Sequence, residues 1–155
     1  MSRGYVGRPM EILLVEDGLL DARLAIAALR RLPFRVRLTL ATDGEEAVRC
    51  LLRQAEFGEM PRPDIVLLDL VLPKVDGLEI LKLIRTTEKL RAIPVVVLTA
   101  SNSPEDRCRC ESFRVDHFLS KPVRLDRFIE LVKAFKLHWQ EDIILPFAKD
   151  EHETP

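Results

Sequence analysis

Apolar residues gather in short continuous runs, and each run stops at a polar or charged residue. Met10–Val15 (MEILLV), Ile65–Leu68 (IVLL) and Val95–Leu98 (VVVL) are short and almost uniformly apolar. Such runs read as strands buried on both faces, the pattern of a parallel sheet. Val36–Ala41 (VRLTLA) alternates and reads as a further strand, and Phe118–Leu119 belongs to a short last one.

Between these runs the spacing changes to that of helices. Leu20 to Leu32 places Leu20, Leu24, Ala27, Ala28 and Arg31 on one predicted stripe, and Pro33 closes it. Asp43 reads as the N-cap of the next helix, with Glu46 three residues on as in a capping box. Ala47, Val48, Leu51 and Leu52 form its predicted inner stripe. Leu78 to Arg85 carries Leu78, Ile80, Leu81 and Ile84. Ser103 and Pro104 suit the cap and first turn of a fourth helix. Leu125 to Trp139 carries Leu125, Phe128, Ile129, Val132 and Phe135. A βα unit repeated about five times predicts an α/β fold, a parallel sheet covered by helices on both faces.

At 155 residues the chain suits one domain with a full core. Lys and Arg number 24 against 25 Asp and Glu, so no global basic field draws it to nucleic acid. No apolar run nears the roughly 20 residues that span a bilayer. These features, and the cysteines below, lead us to expect a cytoplasmic protein. Residues 1–9 lack the apolar segment of a secretory signal and read as a flexible leader. Residues 140–155 read as a partly disordered extension whose apolar knot, Ile143 to Phe147, either folds back or extends an interface. Three cysteines, Cys50, Cys108 and Cys110, are an odd count without Cys-x-x-Cys spacing, which favours reduced thiols over a disulfide or zinc site. His117 and His138 have no second ligand at helical spacing and read as exposed and uninvolved.

Parallel strands end on one side, and ligands bind outside those ends. The first strand ends in Glu16 and Asp17, the third in Asp69, the fourth in Thr99 and the fifth in Lys121. Clustered carboxylates repel unless neutralised, and a hard divalent cation resolves the conflict. Asp17 and Asp69 suit direct ligation of Mg²⁺, Glu16 ligation through water, and the backbone carbonyl of Val71 a further oxygen. Asp69, ionised at neutral pH, needs no base to act as a nucleophile toward a phosphoryl group. Lys121 would neutralise one phosphoryl oxygen and the Thr99 hydroxyl would bond another.

Glu16-Asp17 after ILLV, Asp69 after IVLL, Pro73 and Gly77 in LVLPKVDG, Thr99-Ala100 after VVVL, and Lys121-Pro122 together resemble the receiver domain of bacterial two-component response regulators. The resemblance covers about Met10 to His138, within a domain taken as residues 10–139. It implies a doubly wound, flavodoxin-like sheet of five parallel strands in the order 2-1-3-4-5. It implies phosphorylation of Asp69 by a sensor histidine kinase, phosphoryl binding by Thr99, Ala100 and Lys121, and a switch formed by Thr99 and Phe118. It also implies a cis bond at Lys121-Pro122. The protein would then be no enzyme beyond its own phosphorylation and dephosphorylation, and would signal by protein contact without an output domain. A second helix running to Phe57-Gly58-Glu59, the segment PRPDIVLLDL, and Trp139 before an ILP tail are similar to receivers associated with bacterial phytochromes. Those imply a homodimer through the last strand-helix elements and tail.

Three rival readings stand beside it. An aspartate-nucleophile phosphatase needs an acid two residues past its nucleophile, where this chain has Val71. A flavin-binding protein needs Ser, Thr or Gly in the first loop, where Glu16-Asp17-Gly18-Leu19-Leu20 is acidic. A docking module independent of phosphorylation has no use for the full set of strand-end residues.

Overall fold

The computed structural model describes residues 9–99, 104–121 and 124–142, with the side chains of residue 125 and of residues 135–142 excepted. The predicted leader up to residue 8, Ala100, the Ser103 cap, the Lys121-Pro122 bond and the Ile143–Phe147 knot lie outside the described residues, as do the side chains of Phe135, His138 and Trp139.

Five strands and five helices alternate: β1 (Met10–Val15), α1 (Leu19–Leu29), β2 (Val36–Ala41), α2 (Gly44–Leu52), β3 (Ile65–Asp69), α3 (Gly77–Thr86), β4 (Val95–Thr99), α4 (Pro104–Glu111), β5 (His117–Ser120) and α5 (Leu125–Asp142). The strands lie in the order β2-β1-β3-β4-β5, and every neighbouring pair is parallel. No helix among the described residues is long and apolar enough to cross a membrane.

The strand period of two sorts the core into two layers. Leu13, Val15, Val66, Leu68, Val95 and Val97 face Ala47 and Leu51 of α2, Ile80, Leu81 and Ile84 of α3, and Cys110 of α4. Met10, Ile12, Leu14, Ile65, Leu67, Val96 and Leu98 face Ala22, Ala28 and Leu29 of α1 and Phe128 and Val132 of α5. The central strands are thus buried on both faces, as their continuous apolar runs predict.

The predicted stripe of α1 is wrong. Leu20 is 71% and Leu24 49% exposed, Ala27 and Arg31 are exposed as well, and of that stripe Ala28 alone is buried. The helix is apolar on both flanks, so periodicity does not choose a face. The sheet takes the side with Ala22, Ala28 and Leu29, where small residues let the helix approach closely. In α2, Cys50 rather than Leu52 faces the core.

The capping of α2 follows the sequence. Asp43 Oδ1 accepts from the Glu46 N–H at 2.8 Å, and Glu46 Oε1 accepts from the Thr42 N–H at 2.8 Å, one residue before the expected partner. The bond from the Glu46 N–H, helped by Lys74 nearby, holds the Asp43 carboxyl below its ordinary value against the opposing effect of burial. The helix does not run to Glu59. It stops at Arg53, which adopts the left-handed conformation (φ 57°) and is followed by a single 3-10 turn over Ala55–Phe57. A left-handed residue cannot continue a right-handed helix, and the Arg53 and Gln54 N–H groups close back on Cys50 and Arg49.

Arg85, at the end of α3, secures the far end of the sheet. Its guanidinium donates to the carbonyls of Phe113, Arg114, Arg91 and Ile93, and it pairs with Asp116 at 3.3 Å. Asp116 in turn accepts from the Val95 N–H. Burial pulls the Arg85 guanidinium below its ordinary value, partly offset by Asp116. At the near end, Gly77 lets the loop after Asp69 fold back on itself. Its N–H donates to Leu70 O, and a Cβ there would meet Asp69 O at 2.6 Å.

That contact generates a prediction. Gly77→Ala must displace backbone beside Asp69, so we expect a loss of about 1–3 kcal/mol, the range for overpacking a filled site. Thermal unfolding checks it, and a melting temperature equal to the wild type would contradict the packing described.

Candidate functional site

The register of the sheet assembles one edge. Val15 pairs with Leu68, Asp69 with Leu98, and Thr99 with Ser120. Residues that end or directly follow these strands therefore arrive together: Glu16 and Asp17 after β1, Asp69 closing β3, Thr99 closing β4, and Lys121 after β5. Backbone bonds hold two of them in place, from Glu16 N–H to Ala41 O at 2.9 Å and from Lys121 N–H to Thr99 O at 2.8 Å.

Glu16, Asp17 and Asp69 each bring one carboxylate oxygen within 4.8 Å of the other two, and they form the one such acid, histidine or cysteine group among the described residues. Glu16 and Asp69 are buried, whereas Asp17 is exposed. The ammonium of Lys121 answers their charge. Its Nζ lies 2.8 Å from Glu16 Oε1, 2.9 Å from Asp69 Oδ2 and 3.1 Å from Asp21 Oδ2. The second oxygen of Asp69, Oδ1, accepts from the Val71 N–H at 3.1 Å, and Glu16 Oε2 accepts from Gly18 N–H at 3.0 Å.

These contacts set the protonation states. Burial raises the Glu16 carboxyl above its ordinary value; contacts with Lys121 and the Gly18 N–H oppose this, and the Asp69 charge adds to it. Burial would lower the Lys121 ammonium, but its contacts with Glu16, Asp69 and Asp21 outweigh burial and hold it above its ordinary value. Lys121 is thus charged throughout the physiological range.

The donor set fits a hard divalent cation. It offers carboxylate oxygens only, and the buried Glu16 Oε1 meets Lys121 as an ion pair without a well-aligned hydrogen bond. Val71 follows at the mouth with its side chain 71% exposed.

Thr99 is buried at the end of β4. Phe118 is half-buried against the layer formed with α2 and α3, and the guanidinium of Arg107 from α4 sits 4.6 Å from its ring centroid. His117 is exposed. Cys108 is exposed and Cys110 buried, and both are free thiols, as is buried Cys50. Burial pushes the Cys50 thiol up to about 11.

Two residues of this region are not evident from the strand-end pattern. Asp21 lies in the first turn of α1, the helix that follows Glu16-Asp17, and an acid at that place is the signal that could have found it. Arg107 carries no such mark, because its contact with Phe118 depends on how α4 packs beside β5.

Known proteins resemble this chain in sequence and fold. Residues 12–133 match the response regulator receiver domain family. The chain is 46% identical over 134 residues to the probable methanogenesis regulatory protein FilR2 of Methanothrix harundinacea, covering 84% of this chain and 86% of that protein. It is 38% identical over 140 residues to response regulator Rcp1 of a Synechocystis strain, covering 90% and 95%. The crystal structure of Rcp1 in its Mn²⁺-bound form superposes with a TM-score of 0.75 over 89% of this chain and 99% of that one. The phosphorylated cyanobacterial phytochrome response regulator RcpA, 34% identical, superposes with a TM-score of 0.76 over 90% and 99%. This chain belongs to the response regulator receiver domain family of two-component systems.

Proposed function

We propose that this chain accepts a phosphoryl group on Asp69 from a phosphohistidine of a sensor histidine kinase, in a Mg²⁺-dependent reaction, and passes the signal on by protein contact. The observation that carries the proposal is the Lys121 ammonium, which touches Asp69 and Glu16 at the edge formed by the ends of β1, β3, β4 and β5.

The chemistry follows from the residues. An Asp69 carboxylate oxygen forms the new P–O bond, the P–N bond to the donor imidazole breaks, and the imidazole leaves with the electron pair. Lys121, already 2.9 Å from Asp69, neutralises charge on one phosphoryl oxygen. The Thr99 hydroxyl and the backbone of Ala100 receive the others. Glu16, Asp17 and Asp69, with the Val71 carbonyl, would hold Mg²⁺, whose double charge offsets the negative charge gathered around the phosphoryl group. No acidic side chain stands two residues after Asp69 to protonate a leaving group, which disfavours a phosphatase acting on outside substrates. Turnover is then confined to the protein's own phosphorylation and dephosphorylation. Such a role places the chain in the cytoplasm. The likeness to the cyanobacterial phytochrome response regulator RcpA supports a phytochrome-type kinase as donor, and the resemblance to phytochrome-associated receivers supports a homodimer through the last strand-helix elements and tail.

The exposed leucines of α1 support a docking role for that helix. Leu19, Leu20 and Leu24 are about half to two-thirds exposed or more, and α1 also supplies Asp21 to the site. A kinase helix laid on this stripe would bury apolar surface and bring its phosphohistidine to Asp69.

Asp69→Asn is expected to abolish labelling by acetyl phosphate in Mg²⁺, and chelation of the metal to suppress labelling of the wild type. Undiminished labelling of the variant, read by phosphate-affinity electrophoresis, sinks the assignment. Val71 is apolar and cannot orient a water toward the phosphoryl group, so the phosphorylated protein should persist, and decay within seconds would contradict this. Leu20→Glu is expected to reduce phosphotransfer from the kinase by roughly tenfold or more, the scale of an interface anchor, while acetyl phosphate still labels the protein. Equal loss with both donors would place Leu20 in folding rather than docking.

A further inference from the structure

Lys121 donates toward three carboxylates, and they are not equivalent. An ammonium has three donors and no more. Two of its partners, Glu16 and Asp69, belong to the acidic trio, and the third, Asp21, does not. Lys121 and a divalent cation therefore compete for the same two side chains, whereas Asp21 offers a contact that a cation at the trio leaves free. Asp21 stands in the first turn of α1 with its side chain 40% exposed, while those of Glu16 and Asp69 are 2% and 7% exposed.

Lys121 also has room to move. A cavity of about 170 Å³ lies beside α1, lined by Glu16, Asp21 and Lys121 and by apolar side chains that include Leu24, Leu98 and Phe128. A lysine stem settles readily along such apolar walls while its charged end stays with a polar partner.

We infer that Asp21 is a positioning residue that draws the Lys121 ammonium off Glu16 and Asp69 when a divalent cation binds there. This rests on the proposed function in one respect, that Glu16, Asp17 and Asp69 are the cation site. Asp21 acts through Lys121 and touches neither the cation nor the phosphoryl group. Without it, Lys121 has Glu16 and Asp69 as its remaining partners and stays on them, so the cation meets a stronger competitor.

Calorimetric titration of the full chain with Mg²⁺ tests this in a double-mutant cycle. Asp21→Ala should weaken Mg²⁺ binding by about three- to fivefold, the scale of one partly exposed ion pair. Asp21→Asn, near in shape and still an acceptor, should fall between that variant and the wild type, and it keeps the test open if Asp21→Ala folds poorly. Lys121→Met should tighten binding, because the competitor is gone. Asp21→Ala added to Lys121→Met should change nothing further. If it weakens binding by the same factor there, Asp21 acts on the cation by its own charge and the inference is overturned. It is overturned alone if the wild type and Asp21→Ala bind equally well. A wild-type chain that binds no Mg²⁺ overturns the proposed function and this inference with it.

Discussion

The contact between the Lys121 ammonium and the carboxylates of Glu16 and Asp69 is the constraint around which this molecule is arranged. Two like charges about 4 Å apart near a protein surface repel by about 4 kcal/mol, and burial adds the loss of water. A single cation between them offsets the repulsion and part of the cost of burial. Its placement depends on the sheet, because Lys121 directly follows β5 while Glu16 follows β1 and Asp69 closes β3. Slipping β3 by one residue would put Leu68 or Leu70 where Asp69 now stands and would turn every side chain of the strand to the other face. The register is safe from that slip because both faces of β3 are packed.

The fold divides its labour between the two ends of the strands. At the far end, Arg85 binds four carbonyls and Asp116, joining α3 to the segments before β4 and β5. At the near end the loops are held more lightly, by single backbone bonds such as those of Gly44 and Gly77, and by side chains that carry charge. Charge there can change without disturbing the strands, whose apolar residues lie behind it.

Strands were the most legible part of this chain. The three central strands, β1, β3 and β4, end where their apolar runs stop or one residue beyond, because a strand buried on both faces carries an uninterrupted apolar run. Helix faces were less legible. In α1, leucines and alanines surround the axis, and the side that packs is decided by how closely the helix must approach the sheet, which spacing does not encode. The end of α2 depends on Arg53 taking a left-handed conformation that is unusual for arginine. The strand-end acids and Lys121 could be read because chain order maps onto one edge of a parallel sheet. Asp21 could not be read that way, since it belongs to a helix, and its contact with Lys121 spans 100 residues.

Phe118 shows how packing changes the meaning of a position. Tyrosine in its place would present a hydroxyl to solvent or a partner, whereas phenylalanine has none. Here the polar contact comes from the other side, with the Arg107 guanidinium on the ring face at 4.6 Å. Such a stack is worth about 0.5–1 kcal/mol at an exposed site, enough to bias a side chain between two positions without locking it. The receiver resemblance implies that Thr99 and Phe118 form a switch, and an inward turn of the Phe118 ring would break this stack. What such a turn would alter at the surface is the setting of a charge on α4 rather than of a hydroxyl on β5.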